Sequence, residues 1–273
     1  MERYQEIERS IITKYRKMIW SRFLKGCKEF ELVNEGDNIA VCISGGKDSM
    51  LLAKCMQELQ RHSPIKFGLK FMVMDPGYNK RNRELIESNA KLLNIPIEIF
   101  ESDIFDAVVE IGKNPCYMCA RMRRGFLYRH AQMLGCNKIA LGHHFDDVIE
   151  TLLMSILYGA QVQGMPPKLK SKNFEGMELI RPMYYVKEVD ILAWKRYNQL
   201  EFLRCACRFT EKCEEHEDAS KRLLIKKLIA ELKKGENNVD INIFRSMYNV
   251  HVDTLISYDT KGEEYPFLQR YDD

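Results

Sequence analysis

No stretch of the 273 residues approaches the 18 or more uninterrupted apolar positions of a membrane span, so a helical membrane protein is excluded. Low-complexity tracts are missing too. With 15 Gly, 8 Pro, 45% hydrophobic and 30% charged residues, the composition is that of a folded soluble globule, not a disordered chain. Charge of one sign is also scarce: 42 Lys and Arg against 39 Asp and Glu leave +3, so any basic surface must be local. The opening residues Met1-Glu2-Arg3-Tyr4-Gln5-Glu6 are charged and unlike a secretory signal, and the expected compartment is the cytoplasm. Nine cysteines, an odd number without secretory features, argue against a disulfide framework and turn attention to thiolate chemistry.

The length suits one large domain, or one domain with helical extensions. An apolar stripe of Ile7, Ile11, Ile12, Tyr15, Ile19 and Phe23 predicts one N-terminal helix from about Glu6 to Cys27. Strands and helices then alternate. Strands are predicted at Ile39–Ile43, Phe67–Met74, Ile97–Phe100 and Lys138–Leu141, and helices at Met50–Leu59, Asn82–Leu93, Arg121–Leu134 and Asp146–Leu157. This order predicts an α/β fold with a doubly wound, mostly parallel sheet, with function at the carboxyl ends of the strands. Beyond Pro182 come a predicted helix Lys187–Tyr197, a short extended piece near Phe202, helices Ala219–Lys233 and Ile241–Met247, and a polar, irregular tail from Asp259. The expected division is an N-terminal helix in 1–30, an α/β domain in 31–200 and a helical extension in 201–273.

Directly after the first strand stands Ser44-Gly45-Gly46-Lys47-Asp48-Ser49, with Met50 opening the next helix. Two glycines let backbone approach a ligand, and the first-turn amides with the positive end of the helix dipole form an anion site, to which Lys47 adds charge. The loop lacks the four-residue gap of a Walker A motif. Its pattern is similar to the signature of the ATP pyrophosphatase (PP-loop) superfamily, and the resemblance implies cleavage of ATP to AMP and pyrophosphate with adenylation of a substrate. Asp75, ending the second strand, is placed as in PP-loop enzymes that hold the nucleotide.

Cys116-Tyr117-Met118-Cys119 has the spacing of zinc sites, iron–sulfur sites and redox dithiols alike. The thioredoxin-like reading is disfavoured because Pro115 and a polar loop precede it, not the first strand of a βαβ unit. Arg121, Arg123 and Arg124 could lower thiolate pKa values, contact phosphate or form a solvated face. In an extended segment Cys205 and Cys207 would point the same way, so either could add a ligand, and three thiolates would leave one iron of a cubane cluster open. Cys213 reads as a bystander, and Cys27, Cys42, Cys55 and Cys136, among apolar neighbours, read as small buried hydrophobes.

Taken in order, Cys116-x-x-Cys119-x-Arg121-x-Arg123-Arg124-Gly125, Gly142-His143-His144-x-Asp146-Asp147-x-x-Glu150-Thr151, Gly164-Met165-Pro166-Pro167-Lys168-Leu169 and Arg181-Pro182 resemble the TtcA family of tRNA 2-thiocytidine synthetases from about residue 36 to 250. The resemblance implies ATP, Mg²⁺ and a [4Fe-4S] cluster held by three cysteines, acting on C2 of cytidine 32 in the tRNA anticodon loop. It implies that Ser44 to Ser49 bind ATP phosphates and that Cys116 and Cys119 are cluster ligands. The third is Cys207 or Cys205, with Cys207 preferred; only Ala206 separates them where similar family members have two residues. Asp48 joins Asp146 and Asp147 as the expected catalytic acids. The Asp146–Asp147 pair could bind Mg²⁺, steer the target base or cap a helix, and Gly142 and His143 are expected nucleotide contacts, although both His143 and His144 fit plain packing equally well. Expected partners are tRNA and a sulfur donor such as a cysteine desulfurase, with a homodimer left open and no membrane. Three basic stretches, Arg121–Arg124, Lys168–Lys172 and Lys221–Lys227, are the candidate tRNA track. Competing readings are another PP-loop tRNA modifier, by uridine 2-thiolation or lysidine-type ligation, and a non-catalytic metal-dependent RNA-binding protein.

Overall fold

Asn38–Ile43 forms the first strand, β1, and five of its six residues are buried, the mark of a strand covered on both faces. A computed structural model describes residues 1–102, 115–203 and 217–271, without the side chains of 115–121 and 217–220. Elements are numbered within those residues. Ile39, Val41 and Ile43 enter one hydrophobic cluster, and Ala40 and Cys42 enter another on the opposite side of the sheet. The period-two alternation of strand side chains therefore produces two cores from one strand.

The strands β1, β2 (Gly68–Asp75), β3 (Ile97–Glu101), β4 (Lys138–Ala140), β5 (Lys168–Lys170) and β6 (Glu178–Ile180) lie in the order β3-β2-β1-β4-β6-β5. All neighbours are parallel except β5 against β6. The sequence expectation of a doubly wound, mostly parallel sheet holds. It omitted β5 and β6, which have three residues each and are fixed by pairing of Lys138–Ala140 with Glu178–Ile180, not by local pattern. Helices α3 (Lys47–His62), α4 (Lys80–Leu92), α5 (Pro115–Met133), α6 (Phe145–Gly159) and α7 (Glu188–Tyr197) fall where helices were expected. Helix α5 starts six residues before the expected Arg121, with Pro115 at its head, where the missing N–H costs nothing. Helices α8 (Glu217–Gly235) and α9 (Val239–Ser246) complete a third cluster through Ile225, Ile229 and Phe244, packed on Phe145 and Ile149 of α6.

The N-terminal helix is not continuous. It splits into α1 (Arg3–Ile12) and α2 (Ser21–Glu29) around a π-helical turn at Arg16–Trp20, opened by the amide of Tyr15 donating to the Ser10 carbonyl at 2.9 Å. The buried positions 7, 11, 15, 19, 23 and 27 recur every four residues. In a straight α-helix each such step advances by roughly 40°, so the stripe would wind off the core; the wide turn takes up the excess. Residues 201–203, in the expected extended piece, join no strand. One further expectation changes: the tail, expected to be irregular, forms a hairpin of β7 (Ser257–Thr260) and β8 (Glu263–Pro266). Lys261 and Gly262, both at positive φ, supply its two-residue turn, and the rings of Tyr258 and Tyr265 stack 5.1 Å apart. The four cysteines 27, 42, 55 and 136 are buried and free. No helix among the described residues is long and apolar enough to cross a membrane.

The N-terminal layer is tied to the sheet by a buried charge cluster. Lys54 of α3, fully enclosed, donates to Glu8 of α1, to Gln57 and to the Leu93 carbonyl, while Arg61 donates to both oxygens of Glu8. Cutting such a pair on one side strands a charge out of water. Glu8→Ala is therefore expected to lower unfolding free energy by about 3–5 kcal/mol, measured by urea denaturation, and the paired replacement Glu8→Met/Lys54→Met to cost far less.

Candidate functional site

Because β1 is flanked by β2 on one side and β4 on the other, the loops leaving β1 and β4 face each other at the carboxyl edge, the switch point of the sheet. The loop after β1 is self-organised. Ser49 Oγ accepts from the Ser44 amide (3.1 Å) and donates to the Gly46 carbonyl (3.0 Å), and the Ser44 hydroxyl lies 3.2 Å away. Gly45 holds φ +81°, and a Cβ there would meet Ile86 Cγ1 at 2.7 Å and Leu203 Cδ1 at 2.8 Å. The cap position of α3 is Gly46, with no side chain to spend on the first-turn amides, which leaves an anion-binding helix start.

Gly142, after β4, touches the start of α3 backbone to backbone. A Cβ there would stand 3.0 Å from the Ser49 amide nitrogen and 3.1 Å from the Asp48 carbonyl carbon. This approach brings His144 beside Asp48, with Nε2 3.8 Å from Asp48 Oδ1, and also within 3.4 Å of Asp147 Oδ2. Asp48 Oδ1 is buried and has no hydrogen-bond partner. Burial raises the Asp48 pKa, against the opposing pull of His144 and Lys47. For His143, burial drives the pKa down to about 4, so its ring is neutral near pH 7.

Both acids of the expected pair have structural partners. Asp147 Oδ2 accepts from the His144 amide at 2.9 Å in a capping box, and Asp146 Oδ2 accepts from the Glu188 amide at 2.7 Å and so caps α7. Burial opposes ionisation of Asp147, but His144, His143 and Arg222 outweigh it and the pKa falls. Asp75 reaches the same edge of the sheet, where its carboxylate accepts from the amides of Gly77 and Tyr78 and bridges to Arg83 at 3.0 Å. Cys116 and Cys119 lie one turn apart at the head of α5, a spacing that shares a helix face, and their side chains lie outside the described residues. Cys205, Cys207 and Cys213 lie outside them altogether. Leu203, two residues before Cys205 in sequence, donates its amide to the Gly45 carbonyl at 3.2 Å.

Sequence reasoning missed the ion network that encloses the loop. Lys47 Nζ lies 3.1 Å from Asp48 Oδ2 and 3.0 Å from Glu188 Oε1, and Lys226 of α8 donates to the other Glu188 oxygen at 2.9 Å. Arg222, one turn earlier, sits 3.2 Å from Asp147 and 3.3 Å from Glu150. The two glutamates end far apart. Burial alone would raise Glu188, but the bonds from Lys226 and Lys47 bring it down to about 2; at Glu150 burial prevails over Lys226 and Arg222, and the pKa reaches about 7. Nothing local in the sequence marks Glu188, 141 residues from Lys47.

The site can bind a polyphosphate at the α3 amides with Lys47 alongside. Asp48 Oδ1, an unpartnered hard oxygen beside that cradle, fits the one-carboxylate share that Mg²⁺ takes at phosphate sites.

Comparison with known proteins matches residues 12–207 to the PP-loop domain. A tRNA-cytidine(32) 2-sulfurtransferase from Coxiella burnetii is 34% identical over 238 residues, covering 86% of this chain and 90% of that protein. One from Anaeromyxobacter dehalogenans is 35% identical, covering 85% and 79%. With those of Neisseria meningitidis the identity is 40% over 183 residues, and there the match spans only 56% of the relative's length. Among solved structures, the U34-tRNA thiolase NcsA from Methanococcus maripaludis with its [4Fe-4S] cluster aligns over 86% of this chain and 80% of its own, with a TM-score of 0.66 and 20% identity, a likeness of fold.

Two outcomes follow from this geometry. Gly142→Ala forces apart two backbones and is expected to cost about 1–3 kcal/mol of stability and to weaken ATP binding, read by denaturation and by calorimetric titration. A carboxyl whose folded pKa lies above its unfolded one holds the extra proton in the folded state, so Glu150 lowers stability as pH rises from about 4.5 to about 7, with no further change above. Glu150→Gln removes that loss, and its stabilisation is expected to grow across the same window to the order of 2–3 kcal/mol, followed by melting curves at pH 5 and pH 8.

Proposed function

Since the chain belongs to the PP-loop domain family and, within it, to the tRNA-cytidine(32) 2-sulfurtransferases, we propose that it replaces the C2 oxygen of a tRNA cytidine, position 32 of the anticodon loop, with sulfur at the expense of ATP. The observation that carries this reading is the meeting of an uncapped α3 N-terminus with the unpartnered Asp48 carboxylate oxygen at the switch point. A C2 carbonyl does not expel its oxygen as such. Its attack on the α-phosphorus of ATP releases pyrophosphate and links the oxygen to AMP; a sulfur nucleophile then adds at C2, and AMP departs carrying that oxygen.

Each part of the site has a task in that sequence. The α3 amides and Lys47 hold the leaving pyrophosphate, and fixed donors of this kind stabilise charge that develops during the reaction. Asp48 would hold Mg²⁺ through Oδ1, its other oxygen being bound by Lys47 and His144 lying alongside. Asp146, by capping α7, sets the height of Glu188 and through it of Lys47. Cys116, Cys119 and Cys207 or Cys205 supply soft thiolate donors suited to a [4Fe-4S] cluster, which would provide the site where sulfur is handed over. A cysteine desulfurase or an equivalent donor supplies that sulfur, and the reaction belongs in the cytoplasm with its tRNA. An anticodon-loop base must be unstacked to reach the site.

Protein purified without oxygen, supplied with unmodified tRNA, ATP, Mg²⁺ and a sulfur donor, is expected to yield 2-thiocytidine on nucleoside mass analysis, with AMP and pyrophosphate in equal amounts. Asp48→Ala and Ser49→Ala are each expected to reduce pyrophosphate release 100-fold or more. Undiminished release in both, or sulfur found on uridine alone, contradicts the reading.

A further inference from the structure

From position 9 to position 28 the chain carries seven Lys and Arg and no Asp or Glu, although its overall balance is only +3. This local excess was not among the three basic stretches singled out from the sequence. The fold puts it on one surface. The apolar stripe of α1, the π turn and α2 is buried, with Ile7, Ile19 and Phe23 at 0% exposure, so the cations are left outward, and Arg16, Lys17 and Lys28 are exposed without an ion-pair partner among the described residues.

This face leads into a groove of about 610 Å³ between α2, the start of α7 and the end of α9. Arg22, Lys25, Lys187 and Arg245 line it, interleaved with Tyr185 and Tyr248. The two phenol oxygens lie 2.7 Å apart and share Glu29, which fixes both rings, and Tyr248 remains 55% exposed. Lys25 lies over the Tyr185 ring. Arg22 is paired with Asp190 and Lys187 with Asp240, whereas Arg245 has no ion-pair partner among the described residues. Lys187 directly precedes Glu188, whose carboxylate meets Lys47, so the groove opens beside the phosphate loop. At the other end of α7, Lys14 sits over Tyr197, itself half exposed. Ten residues of helix separate these ends, roughly 15 Å.

We propose that the cationic face of the N-terminal helices and the tyrosine-lined groove of α2, α7 and α9 together form the RNA-binding track, with phosphates on Lys14, Arg16, Lys17 and Arg245 and an unstacked base against Tyr248. The proposal rests on the tRNA reading above and assigns the surface that serves it. Cations supply sequence-independent phosphate contacts and exposed rings supply stacking. A lipid surface is the poorer occupant, because the apolar side of this layer is buried in the core and none of it is free to enter a bilayer. Two of the three stretches marked earlier are less suited. Arg222 and Lys226 are engaged by Asp147, Glu150 and Glu188, and the antiparallel β5 carries Lys170 away from the carboxyl edge, opposite Glu178.

The test is fluorescence-anisotropy titration of unmodified tRNA with the full chain across a salt series. Lys14→Ala/Arg16→Ala/Lys17→Ala is expected to weaken binding tenfold or more and to reduce the slope of log K against log salt by about 2–3, since each lost phosphate contact removes about 0.7–0.9. The triple arginine form at the same positions is expected to retain wild-type binding. Tyr248→Ala is expected to weaken binding about tenfold with an unchanged slope. Lys170→Ala/Lys172→Ala is expected to bind as wild type. Wild-type affinity and slope in the triple alanine variant, or an equal loss in the β5 variant, overturn the track. So does preferential binding to phosphatidylglycerol vesicles over tRNA. If wild type thiolates tRNA while the triple alanine variant binds normally, only the track fails; if wild type neither binds nor thiolates tRNA, the functional reading fails and the track with it.

Discussion

The contact between Gly142 and the first residues of α3 is the constraint on which the site is built. Strands β1 and β4 are hydrogen-bonded neighbours in register, Val41 opposite Ala140, so the segments leaving them must share one narrow edge. They do so only because position 142 has no side chain. From that approach follow the meeting of His144 with Asp48 and the direction of α6. The seating of α7 follows in turn, since the Glu188 amide rests on Asp146, and α8 closes over the acids of α6 with Arg222 and Lys226.

This geometry concentrates acidic groups that would repel one another unless cations were interleaved with them. Glu188, 3.0 and 2.9 Å from Lys47 and Lys226, stays ionised far below neutral pH, while Glu150, 3.3 and 3.7 Å from its two cations and almost fully enclosed, does not. The contrast follows the contacts: Glu188 accepts two bonds, at 3.0 and 2.9 Å, whereas the more deeply enclosed Glu150 accepts one at 3.3 Å and burial prevails. Lys47 is held at a distance where it serves two carboxylates, and an incoming polyphosphate would compete for it with Glu188.

What could be read from the sequence was what is local in the chain. The strand–loop–helix context of Ser44 to Ser49 sets up an anion site within a few residues, and the alternation of apolar strands with amphipathic helices fixes a parallel sheet. The partners of that loop were hidden because they come from far along the chain: Glu188 and Lys226 occupy helix positions that look like ordinary solvated charge until α7 and α8 are in place. The same holds for β6, three residues made into a strand by β4. The break in the N-terminal helix was present in the sequence, in the four-residue spacing of its buried positions, but a stripe of six positions does not by itself separate a period of 3.6 from one of 4.0.

The N-terminal layer also has a consequence in time. Its most distant partners lie in and just after α7: Arg3 donates to the Asn198 carbonyl, Tyr15 to the Ala193 carbonyl, and Asn198 to the Ser10 hydroxyl, across 195, 178 and 188 positions of chain. Contacts of such separation form late, because the intervening chain must be ordered or looped first. At a synthesis rate of roughly 5–20 residues per second, α7 leaves the ribosome on the order of ten to forty seconds after α2. Through that interval the apolar face that α7 will meet has α3 beside it, through Glu8 on Lys54 and Arg61, but lacks its second wall. The layer is thus housed in two stages, and the nascent chain is stickier along this face until the second is complete.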